Sequence, residues 1–376
     1  MLLLALSSLD WNEMQSESVK LYNTGRFLEA EAMLQRAAPL LSGRDSSDPG
    51  IARHWNNVAA VSHALGRFSE AEAAYRKALA WYESQARSGD VDYSRTLNNL
   101  ASMLRINGRL PDAERLCRQA IALQGRGADG PAFLFNLAEI QRALGEITQA
   151  EQSARQGLAM AGGQSSLIRA HLLQATALLS LEKGDLAAAE ANQILAVELF
   201  QQLLPERHHL HAGAAGNLSQ ILMAQGRFAE ARVCLDRSLD LFRETLGSNH
   251  PTMATALNNL GQWHARQGDL ASAEPPLRQA LLIWENAYGR NHPDVAKGLR
   301  NLAALFQIQG KLRGAERLYQ DALRISETVN GARHSQTAMI LGDLSRLYDR
   351  MERKTEAARL RERLSILSFQ DSRGSQ

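Results

Sequence analysis

The sequence predicts an all-α solenoid of about nine helical hairpins, and three observations predict it. The string Gly-x-apolar-x-x-Ala recurs eight times in register, beginning at Gly25, Gly66, Gly108, Gly145, Gly184, Gly226, Gly268 and Gly310, with spacings of 41, 42, 37, 39, 42, 42 and 42 residues. Apolar residues with a helical period precede each glycine. A small residue follows at a constant distance. A period near 40 residues marks a stacked repeat rather than a set of separate globules.

Within each unit the first helix comes before the glycine. Eleven positions before it stand Trp55, Leu97, Leu134, Leu173, Leu257 and Leu299, and eight before it Val58, Leu100, Leu137, Leu218, Leu260 and Leu302. That spacing places them on one helix face. Seven before it the residue is small, as at Ala59, Ala101, Ala138, Ala177, Ser219, Gly261 and Ala303. The glycine suits a left-handed cap. The second helix then carries Ala at one site and a further small residue seven positions on: Ala37, Ala78, Ala120, Gly157, Ala196, Ser238, Ala280 and Ala322. Small residues there let two helix backbones approach closely. One such hairpin cannot bury its apolar face alone, so neighbours must stack and share a core.

The ends and links depart from the pattern. Met1–Leu6 with Ser7 and Ser8 reads as a turn capping the next helix or as a secretory-signal remnant, within an N-terminal apolar segment over 1–10. The repeats span 11–368. A ninth copy at Glu352–Ala357 has lost its glycine, and residues 369–376 read as a polar, disordered tail. The two short spacings coincide with Gly125-Arg-Gly-Ala-Asp-Gly130 and Gly162-Gly163. This region, 125–164, reads as a tighter connection that alters the twist, or as a hinge between 11–125 and 164–368.

Composition narrows the function. With 42 Lys and Arg against 40 Asp and Glu, the net charge is +2, which argues against a nucleic-acid partner held by phosphate neutralisation. No run of 18 apolar residues exists, so no membrane span is expected. Two cysteines, Cys117 and Cys234, make neither a disulfide framework nor a zinc site and fall near packing positions. No phosphate loop, nucleophile elbow or acid pair appears. No enzyme, metal or cofactor is expected.

These repeats resemble the tetratricopeptide repeat over about residues 11–368. The 42-residue spacing, Leu-Asn-Asn-Leu at 97–100 and 257–260, and Gly-x-Asn-His-Pro at 247–251 and 289–293 resemble the kinesin-light-chain subtype. The chain lacks that protein's heptad segment, so kinesin binding does not carry over. The resemblance implies a right-handed superhelix whose first helices line a concave groove.

One stripe of the first helix is left over after packing. It holds Asn57, Asn99, Asn136, Asn217, Asn259 and Asn301 at one position, Asn56, Asn98, Asn258 and Arg300 beside it, and Arg53, Arg95, His171 and Lys297 one turn earlier. Asparagine is a poor helix former, and its amide can donate and accept toward a peptide backbone. The alternative is that these amides bond a neighbouring helix. The resemblance implies that this stripe binds a peptide or protein partner, and its cations suit an acidic one. Changing Asn99, Asn217, Asn259 and Asn301 to Ala is expected to spare stability. His208, His250, His292 and His334 form a ladder, each 24 residues after its glycine, and read as inter-repeat cap residues, since one zinc ion cannot bridge sites a helix spacing apart. The expected function is a non-enzymatic interaction scaffold. The alternative is a regulatory receptor whose superhelix closes on a peptide. The expected location is cytoplasmic, or secreted or periplasmic if Met1–Ser8 is a signal remnant.

Overall fold

The computed structural model describes residues 10–329, 331–332 and 334–371. The apolar run Met1–Leu9 and residues 372–376 of the expected tail lie outside the described residues. Asp10 caps the first helix through a capping box with Glu13.

Eighteen α-helices and no strand occur among the described residues. They form nine hairpins. These are α1 (Trp11–Asn23) with α2 (Phe27–Ala37), α3 (Gly50–Ala64) with α4 (Phe68–Ser84), and α5 (Val91–Ile106) with α6 (Leu110–Gln124). Next come α7 (Gly130–Leu144) with α8 (Ile147–Ala161), α9 (Leu167–Glu182) with α10 (Leu186–Leu203), and α11 (His209–Ala224) with α12 (Phe228–Thr245). The last are α13 (Pro251–Arg266) with α14 (Leu270–Tyr288), α15 (Pro293–Ile308) with α16 (Leu312–Val329), and α17 (Ser335–Arg350) with α18 (Lys354–Asp371). Residues 369–371 thus belong to the last helix.

The turn between paired helices needs a left-handed residue. All eight repeat glycines have φ between +73° and +84°. In the ninth hairpin Glu352 takes their place at φ +59°, a conformation that costs a residue with a Cβ about 1–2 kcal/mol. Beyond the turn, the alanine of every repeat string from Ala30 to Ala357 is fully buried. Contact there is close: a Cβ added at Gly261 would stand 2.5 Å from Leu277 Cγ and 3.1 Å from the Ala273 carbonyl oxygen. Ala273→Leu should therefore overpack α13 against α14 and destabilise by roughly 1–3 kcal/mol. Hydrogen exchange should rise most in the hairpin over 251–288, where the overpacked contact lies. Unchanged protection there would refute the assigned packing.

First helices of successive hairpins touch along the whole array, whereas second helices make no comparable contact with each other. The array therefore curves with its first helices inside. The glycine-rich links at 125–130 and 162–163 join hairpins that pack directly on both neighbours.

Curvature brings the chain back on itself. The turn glycines of hairpins 1 to 4 face the start of hairpins 6 to 9. Gly25 lies against His208 and His209, Gly66 against Pro251, Gly108 against Pro293, and Gly145 against Ser335. Phe68 meets Tyr288 across this seam with ring centroids 5.1 Å apart, and Tyr288 packs on the cores of both turns. One superhelical turn thus takes five hairpins, and the second turn sits on the first.

Candidate functional site

The leftover stripe faces inward, but much of it is occupied. Asn99 Nδ2 donates to Asn56 Oδ1 at 3.3 Å, and Asn301 Nδ2 to Asn258 Oδ1 at 2.8 Å. Asn57 donates to Gln15 Oε1 at 3.2 Å, and Asn136 to the Asn98 carbonyl at 3.5 Å. These bonds join first helices of adjacent hairpins, so the amides form a ladder across the array. Asn98, Asn136, Asn258 and Asn259 are buried. The cations are tied as well. Arg95 pairs with Asp129 at 2.8 Å and Asp92 at 3.0 Å, Lys297 with Asp294 at 2.7 Å, and Arg300 with Asp343 at 2.5 Å. Among the described residues, Arg53, Asn217 and Asn259 have no side-chain hydrogen bond or ion pair. The expectation that alanine is harmless at the stripe therefore changes at Asn99 and Asn301. Each loses a bond worth roughly 0.5–1.5 kcal/mol, against a helix-propensity gain of at most about 0.7 kcal/mol.

The first turn collects its part of the stripe around two joined cavities. One, of about 350 Å³, is lined by Asn56, Asn57, Asn99 and Asn136 together with Tyr22 and His63. The other, of about 540 Å³, adds Arg53 and Arg95 and shares Val19, Asn56 and Asn57 with the first. They provide amides for a backbone and a guanidinium for an acid. Beside them Glu139 stands 3.2 Å from Arg142 and 3.8 Å from Arg105. Burial opposes its charge, yet the two arginines win and hold the carboxyl down at about 2.

The histidine ladder has a role beyond capping. Each ring N-caps the first helix of its hairpin by accepting from the backbone N–H two residues on, at 3.1 to 3.3 Å. That leaves Nε2 as the protonated nitrogen. His250 Nε2 donates to the Ala64 carbonyl at 2.8 Å, and His292 Nε2 to Ile106 at 2.5 Å. His334 does the same to Ala143, and His208 bonds the backbone of Asn23. The acceptors lie at or beside the C-terminal ends of α1, α3, α5 and α7, where helices leave carbonyls without partners. Four neutral imidazoles therefore stitch the second turn to the first, and burial lowers the pKa of each. Sequence reasoning placed these residues at caps and missed the stitch.

A third cavity, of about 380 Å³, lies in this seam, walled by both turns. Cys117 is a core thiol, its pKa pushed up to about 12 by burial, and Cys234 is half-buried; both are free. Among the described residues, no three His, Cys, Asp or Glu side chains converge as a metal would require, and no helix is long and apolar enough to cross a membrane.

The family model for the tetratricopeptide repeat matches residues 21–84, 92–162, 210–281, 277–328 and 294–364, well over half the chain. No curated protein shows significant sequence similarity. Among solved structures, a Rap protein complexed with Competence and Sporulation Factor aligns over 96% of this chain and 98% of its own, with TM-score 0.65 and 14% identity. BtubC (BKLC) from P. vanneervenii covers 62% of this chain and 92% of its own (TM-score 0.46, 19% identity). A Podosopora anserina kinesin light chain with nearly identical TPR-like repeats covers 56% of this chain and all of its own (TM-score 0.43, 20% identity). The likeness to the Rap protein shows a common fold.

Proposed function

The chain belongs to the tetratricopeptide-repeat family, a family of protein-interaction repeats, and from that premise we propose that it is a non-enzymatic scaffold holding an extended peptide along the inner face of its first turn. The observation that carries this reading is the pair of joined cavities, where amides of four successive first helices converge. Asn57, Asn99 and Asn136 stand one repeat apart, which suits a ligand running along the groove. Arg53 has no ion pair among the described residues, so an acidic group on the ligand would be met there, whereas Arg95, Lys297 and Arg300 already hold carboxylates. Asn217, Asn258, Asn259 and Asn301 continue the stripe into the second turn. Two free cysteines suit a reducing compartment and a cytoplasmic location.

Selection from a random heptapeptide library on the intact protein tests the reading. Arg53→Ala should leave the melting temperature unchanged and weaken an acidic selected peptide, more strongly at low salt. Asn57→Ala should cost roughly 0.5–1.5 kcal/mol of binding. Selected peptides indifferent to both changes would move the binding surface elsewhere.

The second reading, a receptor whose superhelix responds to its ligand, is favoured by one observation. Tyr22, Asn23 and His63 wall both the groove and the seam between turns, so an occupant would bear on the stacking. The Rap protein of the same fold was solved with a factor bound. A change in radius of gyration on adding a selected peptide would support this reading, and an unchanged radius would exclude it.

A further inference from the structure

The seam cavity differs from the groove in chemistry. Phe27, Phe68, Ile106, Leu204, Leu246 and Tyr288 give it apolar walls from both turns. Five histidines enter it, and they divide in two. His208 and His250 are committed as caps and stitches. His63, His171 and His209 have no hydrogen bond from either ring nitrogen among the described residues, and His209 Nδ1 is buried without a partner. Apolar contacts fix these three rings, with centroids 5.8 Å from Phe68 for His63, 5.2 Å from Phe200 for His171 and 5.1 Å from Phe27 for His209. No carboxylate is among the residues that line the cavity. Arg105 acts on His63 from behind the wall.

Three fixed imidazoles without hydrogen-bond partners, apolar walls and a lining without acid match one ligand chemistry. We propose that the seam cavity binds a molecule with an aromatic or large apolar body and one carboxylate, the carboxylate lying among the imidazoles of His63, His171 and His209. Burial alone makes an imidazolium costly here, and a carboxylate supplies the missing counter-charge. Two sources carry this chemistry: a free aryl carboxylic acid, or the C-terminal residue of a peptide entering from the groove past Tyr22 and Asn23. The peptide source rests on the groove reading above; the free acid does not.

Electrostatics set the sign of the pH effect. Besides burial, Arg105 and His250 act on His63, Glu139 and His208 on His171, and His208, His250, His171 and His211 on His209. Every one of these except Glu139 disfavours protonation, so the empty site is neutral at pH 6. A bound carboxylate reverses the balance, and binding takes up a proton.

The test uses the full chain with four probes: 3-phenylpropionate, 3-phenylpropionamide, and the peptide Ser-Gly-Ala-Phe with a free or an amidated C-terminus. Calorimetry at pH 6 and pH 8 and the imidazole ring signals are read together. The acid should bind about tenfold tighter than its amide at pH 6, the advantage of a charged over a neutral hydrogen bond. That ratio should shrink at pH 8, and the signals of His63, His171 and His209 should move. If the free-terminus peptide exceeds phenylpropionate and loses its advantage in Asn57→Ala, the source is a peptide. If the peptide gains nothing, the source is a free acid and the proposal stands without the groove. Equal binding of acid and amide, or unmoved ring signals at millimolar phenylpropionate, would overturn it.

Discussion

Gly108→Ala should be far more damaging than Gly310→Ala, although the two glycines occupy the same place in the repeat. Both have a left-handed backbone, at φ +73° and +77°, so either alanine costs about 1–2 kcal/mol in conformation. Around Gly310 no atom stands within 4 Å of an added Cβ. At Gly108 the added Cβ would lie 2.7 Å from Pro293 Cδ and 3.1 Å from Val329 Cγ1. The Pro293 ring is tied to its own backbone and cannot rotate aside, so the second turn must lift away from the first, at a further cost of roughly 1–3 kcal/mol. Urea unfolding should separate the variants by that difference. The Asp294 amide, which His292 caps, should exchange faster only in Gly108→Ala. Equal destabilisation of both variants would mean that the turns do not bear on one another in solution.

Acidification should loosen the same seam. Burial first of all holds His63 and His171 at about 4 and His209 at about 3, below the ordinary value of about 6.5. The unfolded chain therefore binds more protons than the folded one between pH 6.5 and these values. Stability is fully present above about pH 6.5 and is lost as the pH falls toward 4. The limit is about 1.4 kcal/mol per histidine per pH unit, and these rings, not fully enclosed, approach it only in part. The ladder histidines, also shifted down, add to the loss. The radius of gyration should rise and the melting temperature fall from pH 7 to pH 4. A variant carrying His208→Asn, His250→Asn, His292→Asn and His334→Asn keeps good N-caps and removes the stitches. It should be less compact at pH 7 and change less on acidification. A pH response identical to that of the unmodified protein would exclude the ladder as its source.

The repeat itself was legible because its determinants are local. A glycine needed for a left-handed turn and an alanine needed for close packing recur at fixed offsets, and the structure puts every one of those alanines in the core. The stacking of turns was not legible in the same way. Its partners lie 186 residues apart for both His250 with Ala64 and His292 with Ile106, and a periodic pattern reports only on nearest neighbours. A trace did exist: Asp10, Pro49, Asp90, Asp129 and Ser166 open the first helices of hairpins 1 to 5, whereas His208, His250, His292 and His334 open those of hairpins 6 to 9. A change of cap residue halfway along a regular array marks a new neighbour. The amide bonds within the stripe were not legible for a related reason. Asn-Asn pairs at 56–57, 98–99 and 258–259 show an amide-rich face, yet only the geometry tells that one member of a pair bonds the next repeat. A further regularity went unread. The basic residue after the turn glycine pairs with a glutamate one repeat earlier, as in Arg109 with Glu72 at 2.6 Å and Lys311 with Glu274 at 3.5 Å. It is an exposed ladder of small energetic weight.

A linear array of repeats unfolds piecemeal, because each unit leans only on its neighbours. Bonds from hairpins 1 to 4 onto hairpins 6 to 9 add rungs between distant parts of the chain, and a strip becomes a closed cylinder. Fraying at either end then removes support from the middle, so the ends and the centre should melt together rather than in sequence. Making those rungs also requires closing loops of some 186 residues, an entropic step that local hairpin formation does not reward. Folding should accordingly run in two stages: rapid growth of helical pairs, then a slower docking of one turn onto the other, with a rate that Gly108→Ala reduces and Gly310→Ala leaves alone.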